Sequence, residues 1–262
     1  MRLITATILS CALILSFSRP LHAETDFKNT NPNFESAVKK VIELIGKNDR
    51  EAIANLVVYP LHRKVPLPSI NTPSQFLEVF DEVLDEELLK AISSSSISDD
   101  WADMGWRGIM FQNGALWLDE DGKITAINYQ TEKAKRKRDI LIEADKKNLH
   151  SSLQEFLEPI LEWRTKDFRI RIDRVADEKY RLAVWPAQKE TSEKPDLVLN
   201  NGELLPDGSG GNRHYDFKSG AYLYRCFVNE IGTADTPPGE LKIYKRKKVV
   251  LSQPVIEVIT GW

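Results

Sequence analysis

The spacing of apolar residues changes near Trp101, and this change limits the possible folds more than any other feature of the chain. Upstream the spacing is helical. FESAVKKVIELIGKN puts Phe34, Val38, Val41, Ile42 and Ile45 on one stripe, and Gly46 is placed to stop the helix. DREAIANL continues as a second helix with Asp49 as its N-cap. Pro60, Pro66 and Pro68 then break the chain, leaving VVYPL and KVPLPSI as short extended pieces. Thr72-Pro73 is an N-cap followed by proline at the first helical position. It opens PSQFLEVFDEVL, with Phe76, Leu77 and Phe80 facing inward, and DEELLKAI follows as one more short helix.

Downstream, GWRGIMF and ALWLDEDGKITAINY read as three short strands turned by Asn113-Gly114 and Asp121-Gly122, where glycine takes positive φ at little cost. From about Leu153 the pattern is β. In DFRIRIDR, Phe168, Ile170 and Ile172 alternate with Arg169, Arg171 and Asp173, and KYRLAVW alternates in the same way. DLVL, HYDF, AYLYRCFV, ELKIY, KVVLS and PVIEVI are further strands between polar turns. The expected class is α+β: helices with a small antiparallel sheet, then an antiparallel β-sandwich or small barrel. Neither half repeats internally at the spacing of a solenoid or propeller.

The first residues, MRLITATILSCALILSFSRPLHA, have the layout of a secretory leader: a basic start, an apolar stretch and a polar end. The apolar stretch is about 15 residues, short of the ~20 that span a bilayer. The expected division is a signal peptide over 1–23, an α+β domain over 24–130, a charged bridge over 131–150 and a β-rich domain over 151–262. The expected location is periplasmic or secreted, with no integral membrane segment after cleavage. Cleavage removes Arg2 and Arg19 and no acidic residue, so net charge moves from −3 to −5. That balance argues against a general nucleic-acid binder. Cys226 is then the only cysteine, so no disulfide forms within the chain and the fold rests on its core. The basic runs KAKRKR (133–138) and KRKK (245–248) read as a solvated face and a charged hairpin turn. Glu78, Asp81, Glu82, Asp85 and Glu86 read as a solvated acidic helix face.

The order FESAVKKVIELI, DREAIANLVVYPL, PSQFLEVFDEVL and GIMFQNGALWLDEDGKITAIN, over residues 34–129, resembles the NTF2-like (cystatin-related) α+β superfamily. The resemblance implies a sheet curved around helices with an apolar-mouthed pocket. Some members are enzymes and many only bind, so the fold does not name a function.

The densest chemistry lies in LPDGSGGNRHYDF, residues 205–217. It lacks the lysine and hydroxyl pair of a phosphate loop, the G-x-S-x-G of a nucleophile elbow and the spacing of an EF-hand. Asp207, Ser209, Asn212 and Asp216 nevertheless offer oxygens for a metal or ligand, and His214 lies among them. The plainer reading is a turn, with glycines supplying unusual backbone angles. Ser209, His214 and Asp216 do not make a triad, because successive strand side chains alternate faces. The histidines and the lone cysteine have no zinc spacing, so neither a metal nor a cofactor is expected. Trp101, Trp106 and Trp117 cluster within seventeen residues. Core packing is the plainer reading of them, but tryptophan often anchors binding surfaces, so Trp101, Trp106 and Arg107 are the candidates for a ligand pocket. His62, near the proline bend, is a further lining candidate. The functional expectation is a non-catalytic binding protein for another protein, an envelope polymer or a small ligand. The alternative is an envelope hydrolase with a pocket where the two domains meet.

Overall fold

A computed structural model describes residues 32–261 of the chain. The expected leader lies outside them. The first half runs α1 (Phe34–Gly46), α2 (Arg50–Leu56), α3 (Pro73–Glu78), α4 (Phe80–Val83), α5 (Glu86–Ser93) and α6 (Ile97–Asp100). Strands β1 (Trp101–Asp103), β2 (Ile109–Phe111), β3 (Leu116–Leu118) and β4 (Ile124–Ile127) follow as an antiparallel meander. The caps act as the sequence predicts. The Asp49 side chain accepts the N–H of Ala52, and the Thr72 hydroxyl accepts that of Gln75 ahead of Pro73.

Two details differ. PSQFLEVFDEVL is broken at Val79, which brings Phe80 and Val83 into the core and leaves Leu77 exposed. A fourth strand, β1, precedes the expected three and sets Trp101 opposite Phe111. Helices and sheet close on one apolar core that includes Val38, Ile53, Phe76, Phe80, Phe111 and Leu116.

The charged bridge is a helix, α7 (Glu132–Asn148). It contains no glycine or proline and is built largely of strong helix formers. The Thr131 hydroxyl caps it at Ala134 and also donates to the carbonyl of Glu82, which ties its start to the first half.

The second half is one curled antiparallel sheet: β5 (Glu158–Arg164), β6 (Phe168–Ala176), β7 (Lys179–Pro186), β8 (Leu197–Pro206), β9 (Arg213–Ser219), β10 (Tyr222–Val228), β11 (Gly239–Lys245), β12 (Lys248–Pro254) and β13 (Glu257–Thr260). Its spatial order is β12-β11-β10-β9-β8-β7-β6-β5-β13. Only Val255 and Ile256 separate β12, at one edge, from β13, at the other. The Val255 N–H bonds the Gly239 carbonyl on β11 at 2.9 Å, and the Ile256 N–H bonds the Arg164 carbonyl on β5 at 2.9 Å. Adjacent residues thus pair with opposite ends of the sheet, so the ends meet there. Of the two expected architectures, the structure is a partly closed barrel and not a sandwich.

The barrel interior is filled by Trp163, Ile170, Leu182, Phe217, Cys226 and Leu241, among others. Gly239 is required beside Trp163, because a Cβ there would meet the indole at 2.5 Å. Burial lifts the Cys226 thiol to about 12, which leaves it unreactive.

The outward residues of β6 and β7 are not solvated. Arg171, Asp173 and Arg181 are buried beneath α7 and the turn after it. Arg171 bonds Asp173 at 2.8 Å and Asp145 of α7 at 2.6 Å, and Arg181 bonds Asp173 at 2.8 Å. Leu153, Phe156, Ala183 and Trp185 form the apolar patch beside this network.

The two charged faces expected in solvent are corrected in part. Glu82 is half-buried between Arg63 (3.1 Å) and Lys137 (3.0 Å). Glu158 of β5 holds Arg138, Lys64 (3.3 Å) and Arg174 (2.7 Å). Arg138 also donates to the Val65 carbonyl at 2.6 Å. Part of the basic run of α7 therefore joins the two halves. KRKK does form the β11–β12 turn, with positive φ at Arg246 and Lys247.

Candidate cleft between the two halves

Trp106 and Arg107 sit on a single 3₁₀ turn, Gly105–Arg107, between β1 and β2. The turn is held at both ends. The Asp103 carboxylate accepts the Gly105 N–H at 2.8 Å, and the Met104 N–H bonds the Gly108 carbonyl at 2.9 Å. Gly108 has a φ of +95°, and a Cβ there would lie 2.1 Å from the Leu118 carbonyl oxygen. The turn is thus flush against β3 and has no room for a side chain at its base. Trp106 projects from it with 67% of its surface exposed. An exposed tryptophan on a pinned turn is unusual, because nothing in the core requires it there.

The opposite wall is the glycine-rich loop, which is the β8–β9 turn. Gly208 and Gly211 have φ of +83° and +93°. Gly210 does not, but a Cβ at 210 would come within 2.6 Å of Ile231 Cδ1 and 3.4 Å of Trp106 Cη2. A small residue at 210 therefore leaves space for Trp106 to approach this loop from the other half of the molecule. Asn212 fixes the loop to its neighbour. Its amide donates to the Ile231 carbonyl at 3.0 Å, and its carbonyl accepts the Ile231 N–H at 2.8 Å. Arg213 pairs with Glu230 at the base. Burial raises the Glu230 carboxyl, and Arg213 offsets this only in part.

Between the walls lies a cleft of about 620 Å³, within the ~300–1,000 Å³ usual for ligand sites. Trp106, Trp117 and Ile231 give it apolar surface, and Arg107, Thr125, Asn128 and Ser209 give it polar edges. The structure thus brings together two groups of sequence candidates, Trp106 with Arg107 and the glycine loop with Ser209, that lie about a hundred residues apart in the chain.

Other candidates fall elsewhere. Trp101 is in the core, 4% exposed, with its indole N–H on Ser95 Oγ at 2.9 Å. It does not line this cleft. Asp207, Asn212 and Asp216 do not converge on a common point for a metal. Asp207 bonds His214 at 2.8 Å, Asn212 bonds Ile231, and both Asp216 oxygens take Arg225 at 2.7 Å. Among the described residues no group of three His, Cys, Asp or Glu is placed to hold a metal ion.

His214 is buried, and its Nε2 has no hydrogen-bond partner. It lies 3.9 Å from Asp216 and is not directed at a serine. His62 lines a second cleft, of about 570 Å³, together with Ser69, Asn229 and Glu230. Its Nδ1 is 3.0 Å from Ser69 Oγ, and burial lowers its pKa. Glu230 belongs to both clefts.

Sequence reasoning missed Trp117, Thr125, Asn128, Arg213, Glu230 and Ile231. Only Trp117 carried a signal, as part of the tryptophan cluster. Among the described residues no helix is long and apolar enough to cross a membrane. No known protein family, characterised protein or solved structure matches this chain, so its own geometry carries the functional argument.

Proposed function

We propose that the chain is an exported, non-catalytic binding protein whose ligand seats in the cleft lined by Trp106 and the glycine-rich loop. The leader-like start supports export, and the cleft supports binding. The observation that carries the reading is Trp106: a large indole left exposed on a turn pinned by Asp103 and Gly108, facing a wall that is itself hydrogen-bonded in place. Preorganised aromatic side chains give contact area at little cost in conformational entropy, and they dominate binding energies.

Binding without turnover fits two of the three carboxylates at the cleft, Asp119 and Glu230, which are taken up within the protein. Asp119 accepts the backbone N–H groups of Asp121 and Lys123 at 3.0 and 2.8 Å, and Glu230 is paired with Arg213. Two opposed carboxylates flanking a scissile bond, as glycoside hydrolysis requires, are not what these bonds provide.

The test is capture of ligand from envelope extract by the immobilised protein, compared with Trp106→Ala and Arg107→Ala. Both variants should stay folded and lose the captured species. Equal capture by wild type and both variants refutes the cleft as the binding site.

A further inference from the structure

The chemistry of the cleft narrows its ligand, on the reading that the cleft binds one. Its apolar surface comes mainly from aromatic and small residues, Trp106, Trp117, Ala126 and Gly210, with Leu118 and Ile231 beside them. Beside its paired charges it offers hydroxyl, amide and guanidinium groups: Thr125, Asn128, Ser209 and Arg107. Thr125 and Asn128 each use one hydrogen-bonding group on the protein, Thr125 Oγ1 to the Trp117 carbonyl and Asn128 Nδ2 to the Gly114 carbonyl. These bonds orient the side chains and leave the Asn128 amide oxygen and the lone pairs of the Thr125 hydroxyl as acceptors.

Charge at the cleft is mixed. Arg107 and Arg213 stand with Asp119, Glu120 and Glu230, and Arg213 is taken up by Glu230. A polyanion such as nucleic acid gains nothing from this balance, and neither does a strongly charged peptide. The surface instead suits a neutral ligand with an apolar face and a hydroxylated rim. A pyranose ring has that shape. Its C–H face is weakly electropositive and packs on the electron-rich face of an indole, while its equatorial hydroxyls point sideways to hydrogen-bonding groups. The cleft has room for more than one such ring.

We propose that the cleft is a saccharide site that takes a neutral oligosaccharide, with one sugar ring against Trp106 and its hydroxyls toward Thr125, Asn128, Ser209 and Arg107. Because stacking depends on the π face and not on apolarity alone, two substitutions separate it from simple apolar docking. Trp106→Phe keeps a smaller π face, and Trp106→Leu keeps an apolar side chain without one.

The experiment is ¹H–¹⁵N NMR of the full mature chain, following the tryptophan indole N–H signals. The Trp106 signal is assigned by its loss in Trp106→Phe. Chitotriose, cellotriose and maltotriose are titrated separately, beside the neutral apolar peptide Ala-Leu-Ala-Leu. Binding of the two variants is then read from backbone amides of the glycine loop. The expected result is saturable movement of the Trp106 and Trp117 indole signals with at least one trisaccharide. Affinity should fall less than tenfold in Trp106→Phe and roughly tenfold or more in Trp106→Leu.

Saturation by the peptide alone, retained in Trp106→Leu, overturns the saccharide assignment but leaves the cleft as a binding site. Sugar binding that moves neither Trp106 nor Trp117 overturns this location. No movement with any of the three sugars overturns the proposal. The capture experiment, which does not depend on ligand class, still judges the cleft itself.

Discussion

Truncating Trp101 and Trp106 in parallel tests the division of labour between them. From sequence alone the two tryptophans are alike, and core packing predicts that loss of Trp106 mainly unfolds the protein. The structure reverses that expectation. Trp101 is 4% exposed, packs on Phe111 at 4.8 Å between ring centres and donates its indole N–H to Ser95. Trp101→Ala should cost about 3–5 kcal/mol, as for other large aromatic residues removed from a core. Trp106 is 67% exposed, so about a third of its surface is covered. A fully buried tryptophan removes roughly 200 Å² from water, so the covered part is about 70 Å². At ~25 cal/mol per Å² this is about 1.7 kcal/mol, an upper bound that a compact unfolded chain brings nearer to 1. Thermal and urea unfolding of both variants measure the difference. Trp106→Ala should lower Tm by a few degrees and leave the urea m-value unchanged, whereas Trp101→Ala should lower Tm by about three times as much. A Trp106→Ala loss equal to that of Trp101→Ala would show the indole to be a structural wedge between the halves, and the argument for a binding cleft would fall with it.

The buried network gives a second stability prediction. Asp173→Ala leaves Arg171 with Asp145 and Arg181 with backbone carbonyls alone, and should cost about 3–5 kcal/mol in urea unfolding, with part recovered in Asp173→Ala/Arg181→Met. Gly108→Ala combines a positive φ with a clash against backbone, so it should cost more than the ~1–3 kcal/mol of φ strain alone and lower Tm clearly. Gly210→Ala meets the flexible end of the Ile231 side chain at 2.6 Å and the Trp106 ring edge at 3.4 Å, with no backbone in the way, and should be mild. Ser209→Ala should be silent in stability, since Ser209 lies exposed in the turn. Glu82 and Glu158 are raised by burial but lowered further by their basic partners, so their folded pKa values lie below the unfolded 4.5. Their contribution is fully present above pH 4.5 and is lost as pH falls through the folded values, and Glu82→Gln should flatten that acid limb of a Tm–pH curve. Glu230 has the opposite sign: stability falls as pH rises from 4.5 through its raised folded value, and Glu230→Gln should remove that slope.

The strands were legible where one face is apolar and the other polar, as in β6, β7, β9 and β10. β5 was not, because Pro159, Ile160 and Leu161 are consecutive apolar residues and a bulge between Pro159 and Leu161 shifts the alternation. In DFRIRIDR the alternation was visible and its meaning was not. Nothing local says that Arg169, Arg171 and Asp173 are interior: α7 and the turn after it cover Arg171 and Asp173, and Glu162 and Glu190 close on Arg169. The cleft was legible in fragments. Each wall announced itself locally, by tryptophans on one side and glycines on the other. Their meeting depends on how the two halves are set against each other, which hydrophobic period does not encode. Arg213, Glu230 and Ile231 carried no local signal, since a charged pair and an exposed isoleucine in loops resemble any others.

That setting of the halves is where the chain concentrates its long-range charge. Arg63 and Lys64, beside the proline bend, reach Glu82 and Glu158, and α7 reaches the same two carboxylates through Lys137 and Arg138. Each carboxylate thus joins parts of the chain that the hydrophobic cores alone would leave separate. Glu158 also takes Arg174 within the barrel, so the clamp ends on the second half's own sheet. Partly buried ion pairs contribute little net stability when formed and cost several kcal/mol when one partner is removed, so their main effect is on which arrangement is adopted. The arrangement they favour is the one that sets Trp106 3.4 Å from where a side chain at position 210 would begin. The cleft has no hinge of its own, because the turn bearing Trp106 is pinned by Asp103 and Gly108 and the facing loop is pinned by Asn212. Affinity at the cleft should therefore depend on Glu82 and Glu158, which lie outside its lining. A ligand bound between two walls fixed in this way loses little free energy to ordering the protein.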